Sequence, residues 1–372
     1  MMAECLSGTR VLDLSQYLPG PYATQMLADL GAEVIKVEPP AGDPMRGIGP
    51  RDADGVSAFY KLINAGKTVT HLDLKSDAGR AALGSLVRGA DVLLESFRPG
   101  ALSKLGFGAE ALRELNPRLV HCALSGFGQS GPYAQRAGHD ITYMALAGGL
   151  ATSGMAERPV FAHPPTADFA GAMQATIAIL AALLRRANTG QGSSIDVSLS
   201  EAVLAWQGVV LTGALRAGGS ASRGHGLLNG GAACYRLYET ADGRFVALGA
   251  LEEKFWANFC TALRRPEWIA RQHEDLPQAS LIADIAAVVR AETRDALTAR
   301  LAGVDCCFQA VLEPGEVMRD QHIAARGLVH QVDEREPRVE VSFPAFFDAV
   351  QPGPRPPLRV RDATEIMQAW MA

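Results

Sequence analysis

Thr9-Arg10-Val11-Leu12-Asp13-Leu14, then Pro21 to Leu30 closed by Gly31, then Glu33-Val34-Ile35-Lys36-Val37 is the stretch that decides the fold. The first and third runs predict buried strands and the middle one a helix stopped by glycine, so the unit is βαβ with its strands parallel. The alternation continues. Thr68 to Leu72 predicts a short strand, Ser76 to Arg88 an amphipathic helix, Asp91 to Glu95 a strand, Ala109 to Leu115 a helix and Leu119 to Leu124 another strand. The class is α/β, a parallel sheet covered by helices, with polar or glycine-bearing loops at the strand ends where such folds place ligands.

From Ala170 the pattern is helix-rich apart from a strand at Ser194 to Ser198. Glycines mark a loop from Gly213 to Gly231. Cys234 to Leu237 and Arg244 to Leu248 predict two strands joined at Ala241-Asp242-Gly243, and Glu253 to Leu301 is helical with a break near Pro266. The expected domains are a large one over 1–224, a small α+β one over 225–325, and a C-terminal strap and helix over 326–372. Pro352 to Pro357 makes the strap semi-rigid, and Asp362 is placed to cap the last helix.

With 372 residues the chain has room for two domains, and 48% hydrophobic with 20% charged residues excludes disorder and fibrous repeats. A net charge of −5 gives no reason to expect nucleic acid. The apolar run Ala170 to Leu184 is shorter than the ~20 residues a bilayer requires, so a buried helix is expected and no membrane partner. Six cysteines at 5, 122, 234, 260, 306 and 307 form no CxxC pair or zinc pattern, which favours a reduced, cytoplasmic compartment and no metal site. No signal peptide is read at Met1-Met2-Ala3-Glu4-Cys5.

Three proton-handling side chains stand in polar, glycine-flanked settings: His139 after Gly138, Asp168 before Phe169-Ala170-Gly171, and Glu252 after Gly249-Ala250-Leu251. Two acid/base groups on opposite sides of a small substrate are what a 1,1-proton transfer requires, each with a pKa near neutral. Each also has a plain structural use. Asp168 can cap the helix that follows, His139 can be a hydrogen-bonding surface residue, and Glu252 can be a solvated helix start. Basic groups able to meet an anionic ligand are Lys36, Arg46, Lys67, Lys75, Arg98 and Arg136. No Walker loop and no GxGxxG follows a strand, so nucleoside-triphosphate and dinucleotide sites lack their glycines.

Taken together, Leu30-Gly31-Ala32-Glu33-Val34-Ile35-Lys36-Val37-Glu38, Asn64-Ala65-Gly66-Lys67, Leu72-Asp73-Leu74-Lys75, Phe97-Arg98-Pro99-Gly100, Ser125-Gly126-Phe127-Gly128-Gln129-Ser130-Gly131-Pro132, Gly138-His139-Asp140-Ile141, Asp168-Phe169 and Gly249-Ala250-Leu251-Glu252 resemble the family III CoA-transferase superfamily. The resemblance is strongest to its α-methylacyl-CoA racemase branch. Pro164-Pro165-Thr166-Ala167 and the stretch 339–372 depart from that pattern.

The resemblance implies a Rossmann-like large domain, an interlocked homodimer, and an acyl-CoA substrate, with coenzyme A as part of the thioester and no permanently bound cofactor. It adds Tyr143 to the candidate CoA contacts. It makes His139 and Asp168 the catalytic pair, with Glu252 supplied by the partner's small domain. Three functions stay open: racemisation of a 2-methylacyl-CoA through an enolate, CoA transfer through an Asp168 acyl anhydride, and non-catalytic CoA binding.

Overall fold

A computed structural model describes residues 4–216 and 223–371 of the chain. They fall into two compact units, one made of 1–147, 163–205 and 320–372, the other of 148–162 and 206–319. The large unit therefore breaks off at residue 205 and not at 224, resumes at residue 320, and leaves the segment 148–162 to the small unit. Part of the expected loop from Gly213 is helix, because a helix spans Gly208–Arg216; the portion at 217–222 lies outside the described residues.

The strands in chain order are β1 (Arg10–Leu14), β2 (Glu33–Glu38), β3 (Thr68–His71), β4 (Val92–Glu95), β5 (Val120–Ser125), β6 (Gly154–Met155), β7 (Arg158–Pro159), β8 (Ser193–Ser198), β9 (Tyr235–Glu239), β10 (Phe245–Gly249), β11 (Phe308–Ala310), β12 (Val329–Val332), β13 (Arg338–Val341) and β14 (Arg359–Val360). The large unit is built on a seven-stranded sheet of order β14-β3-β2-β1-β4-β5-β8, every pairing parallel. Val11, Leu12, Ile35, Val69, Leu93 and Leu94 are fully buried, as expected of parallel strands covered on both faces. Strand order reverses between β1 and β4, and ligands of open α/β sheets bind at the carboxyl ends of strands flanking such a reversal.

The first helix starts two residues earlier than expected, at Pro19, with proline in its first turn where no N–H bond is lost. Gly20 is required there: a Cβ would lie 2.2 Å from the Ser15 Cβ. The apolar run from Ala170 belongs to a 24-residue helix, Thr166–Thr189, longer than expected and long and apolar enough by composition to cross a membrane. One face of it, including Ala172, Ala175 and Ile179, is buried in the large unit.

The chain returns to this sheet at its end. Gly66 donates its N–H to the Pro356 carbonyl at 2.7 Å, Arg355 grips Asp29 with two guanidinium nitrogens at 2.7 and 2.6 Å, and β14 then pairs with β3. Asp362 caps the last helix, Ala363–Met371, by accepting the Thr364 N–H at 2.8 Å. Ile366 and Trp370 of that helix enter the core formed by Leu12, Leu83, Leu86 and Leu93.

The small unit has its own core of Trp256, Phe259, Leu281, Ile285 and Leu297 beneath an antiparallel sheet β11-β10-β9. The turn expected between β9 and β10 is present, with Gly243 in the left-handed region at φ 70°.

Candidate active site

A cleft of about 340 Å³ opens in the large unit where β1, β4 and β5 end, lined by Gln16 and Tyr17 after β1, Phe97 and Arg98 after β4, and Ser125 and Gly126 at the end of β5. His139, Tyr143, Asp168 and Arg136 complete it. Tyr17 holds a left-handed backbone at φ 64°, an arrangement that costs about 1–3 kcal/mol for a non-glycine residue and persists where surrounding structure enforces it.

His139 stands just before the helix Asp140–Leu146 with extended backbone (φ −137°, ψ 172°) and an exposed side chain. The Thr142 hydroxyl fixes it by accepting the His139 N–H at 3.0 Å and donating to the His139 carbonyl at 2.7 Å. Gly138 leaves room for Tyr143, since a Cβ would sit 2.5 Å from the Tyr143 ring. The phenol itself is buried and packs edge-on against Phe127 at 5.1 Å. Burial, then the charges of Asp168 and Asp140, push its pKa up to about 12, so the hydroxyl remains a donor.

Asp168 does not cap its helix. It is the third residue of Thr166–Thr189, and the cap comes from elsewhere in the chain: Asp140 accepts the N–H groups of Ala167 and Asp168 at 2.6 and 3.1 Å. The Asp168 carboxyl is half-buried and accepts no hydrogen bond from any described residue. A helix start favours negative charge, yet burial and then the neighbouring Asp140 outweigh it and raise the carboxyl to about 7. Asp140 was missed as a candidate although it sits inside the Gly-His-Asp-Ile motif; its partner lies 28 residues on, and no local pattern signals such a contact.

The basic candidates separate into three groups. Arg98 and Arg136 line the cleft, exposed, with the Arg136 guanidinium 3.8 Å from the Tyr133 ring centroid. Lys75 is exposed but does not line it.

Lys36 and Lys67, expected to meet an anionic ligand, are instead buried. Each is buried to within 1%, Lys36 bonded to Asp43 at 2.9 Å and to the Ser15 carbonyl at 2.8 Å. Lys67 is bonded to Asp13 at 3.0 Å, the Pro21 carbonyl at 2.7 Å and Asn64 at 2.9 Å. Both ammonium groups neutralise buried carboxylates and cannot reach a phosphate without opening the core. Arg46 is largely committed as well, to Glu38 at 2.8 Å and the Tyr60 hydroxyl at 2.7 Å. Glu252, in the small unit, is exposed immediately before the helix Glu253–Ala262 and caps it only through its carbonyl, which accepts the Trp256 N–H at 3.1 Å.

Among the described residues no group of three or more His, Cys, Asp or Glu side chains is arranged to hold a metal ion. What the cleft offers is a carboxyl raised toward neutral pH by burial, together with an imidazole and two guanidinium groups among its lining side chains.

The chain is similar to the human α-methylacyl-CoA racemase, 34% identical over 340 residues that cover 89% of this chain and 84% of the relative. It is as similar to succinyl-CoA–D-citramalate CoA-transferase of Chloroflexus aurantiacus, 34% identical over 334 residues covering 86% and 82%. The crystal structure of a CAIB/BAIF family protein from Brucella suis superposes with a TM-score of 0.84 at 29% identity, covering 98% of this chain and 99% of that one. The profile of CoA-transferase family III matches residues 6–359. The chain belongs to CoA-transferase family III and is an enzyme of that family, whose members act on CoA thioesters and include both racemases and CoA-transferases.

Proposed function

We propose that this enzyme inverts the α-carbon of a 2-methylacyl-CoA by 1,1-proton transfer between His139 and Asp168. The observation that carries the proposal is the Asp168 carboxyl: half-buried, without a hydrogen-bond donor among the described residues, raised to about 7, and in one cleft with His139. Such a group is populated in both protonation states at neutral pH, as a reversible racemase requires.

In one direction the neutral imidazole removes the α-proton and the C–H electron pair delocalises onto the thioester oxygen as an enolate. The Asp168 carboxylic acid then gives its proton to the opposite face of the α-carbon, leaving imidazolium and carboxylate. The reverse reaction starts from that pair. Arg98 and Arg136 supply positive charge for the CoA phosphates, and the thioester brings its own coenzyme A.

A homodimer belongs to the same proposal, with Glu252 of a second copy charge-balancing His139. It is supported by an apolar stripe on the Thr166–Thr189 helix, where Met173, Ile177 and Leu184 are 52%, 58% and 69% exposed at helical spacing.

The second reading is CoA transfer, supported by the equal identity to a succinyl-CoA-dependent transferase. There the Asp168 carboxylate attacks the thioester carbonyl, the CoA thiolate leaves, and an acyl anhydride results. Non-catalytic CoA binding is set aside, because the chain belongs to a family of enzymes.

Incubation of a (2R)-2-methylacyl-CoA in deuterium oxide separates the two. Racemisation incorporates deuterium at the α-carbon with no acceptor acid added. Absence of exchange, together with a hydroxylamine-trappable acyl group on Asp168 and dependence on a free acid, would mean transfer instead.

A further inference from the structure

Pairing in register puts Leu93, His121 and Ser194 on one rung of the large sheet and Glu95, Ala123 and Asp196 two rungs on. Residues two apart on a strand share a face, so Glu95, His121, Ser194 and Asp196 project to the same side. In a parallel sheet covered by helices that face is ordinarily apolar. His121 is only 9% exposed, and neither ring nitrogen has a hydrogen-bond partner among the described residues. Glu95 is 5% exposed with no basic side chain on it among the described residues; one oxygen accepts the Phe97 N–H at 2.6 Å. The side-chain nitrogen of Gln129 likewise has no hydrogen-bond partner among the described residues. Unsatisfied buried polar groups cost about 1–3 kcal/mol each, so the two His121 ring nitrogens and the Gln129 amide nitrogen together favour a polar occupant.

Two cavities meet at His121. One of about 280 Å³ is lined by Glu95, Gln129 and Asp196 and by no lysine or arginine. The other, of about 620 Å³, is lined by Arg113 and Arg185 and by no acidic side chain. Both include His121 and Ser194, and neither shares a residue with the acyl-CoA cleft. Burial pushes Glu95 up to about 7 and His121 down to about 4, so the imidazole is neutral and presents one donor and one acceptor.

We propose that this groove is a second ligand site, taking a small zwitterion whose protonated amine lies at the Glu95–Asp196 end and whose carboxylate lies at the Arg113–Arg185 end, with His121 hydrogen-bonded between them. The amine gives Glu95 the counter-charge it lacks, and the carboxylate meets a guanidinium with matched geometry.

The test uses the full-length protein and a ruler of ω-amino acids: glycine, β-alanine, 4-aminobutyrate and 6-aminohexanoate, with methylammonium and acetate as half-ligands. Calorimetric titration and thermal unfolding read binding. One length should bind saturably and better than either half-ligand. Its affinity should fall tenfold or more in Arg113→Ala and vanish in His121→Leu, while α-deuterium exchange on acyl-CoA stays at the wild-type rate in both. The proposal is overturned if no member binds, if the half-ligands bind as well as the best zwitterion, or if binding survives Arg113→Ala. Arg113 is exposed, so that variant folds even where His121→Leu does not.

Discussion

The Asp140 carboxylate accepts the backbone N–H of Asp168 at 3.1 Å, so the residue beside His139 both anchors the helix that carries the second acid/base group and sets its charge environment. Asp140→Asn keeps a carbonyl oxygen for the two N–H groups but removes the negative charge. The Asp168 pKa should then fall, and in the direction where the Asp168 carboxylate removes the α-proton the acid limb of the rate–pH profile should move to lower pH. Burial, the larger cause of the raised value, remains, so the limb should not return all the way to an ordinary aspartate.

His139→Gln and Asp168→Asn should each slow deuterium incorporation by about 10²–10⁴-fold, with KM for the acyl-CoA little changed, because each removes a proton carrier and leaves the arginines in place. Stopped exchange assays with both enantiomers check this. Exchange at the wild-type rate in His139→Gln would remove the imidazole from the chemistry.

The Asp13–Lys67 pair is fully buried and its loss should be felt in stability. Lys67→Met leaves a buried carboxylate without its counter-ion and should cost about 3–5 kcal/mol, read by denaturant unfolding. Burial alone would raise the Asp13 carboxyl; Lys67, Lys36 and the hydroxyls of Ser15 and Thr24 outweigh it and hold it well below the usual range. A carboxyl depressed on folding stabilises above its unfolded pKa of about 4 and loses that contribution as pH falls further. The Tm should therefore drop more steeply below about pH 4 in the wild type than in a doubly apolar Asp13→Leu/Lys67→Met protein.

Gly20→Ala should destabilise by about 1–3 kcal/mol, since the added methyl meets the Ser15 side chain at 2.2 Å and Ser15 is itself bonded to Asp13. Thermal unfolding measures the loss. A concurrent rise in KM is expected, because Tyr17 and Pro19 beside it line the cleft.

Trp370→Ala should cost about 3–5 kcal/mol. The indole is 6% exposed, donates to Glu33 at 2.9 Å, and lies under the Arg10 guanidinium at 5.5 Å. An unchanged unfolding midpoint would mean that the last helix contributes nothing to the large unit.

Much of this architecture is written locally. The β1–β5 positions follow from short apolar runs bounded by glycine and charge, and the helix Ala109–Leu115 falls where its periodicity places it. What could not be read is contact at a distance. Lys36 looks like a strand-end cation open to a phosphate until Asp43 is seen folding back onto it. An aspartate ahead of an apolar helix looks like a cap, and only the fold reveals that Asp140 has taken that duty and left the Asp168 carboxyl without a hydrogen bond from any described residue. The polar patch of Glu95 and His121 is hidden for the same reason: each residue sits singly in an apolar strand, and register alone brings them to one face.

The seventh strand has a bearing on biosynthesis. Residues 359–360 close the edge of a sheet whose other six strands are complete by residue 198, while most of the small unit, 206–319, is translated in between. Domains tend to fold in the order they emerge from the ribosome. Here the β3 edge has no partner strand through more than a hundred codons, so the nascent chain carries an open pairing surface until β14 emerges.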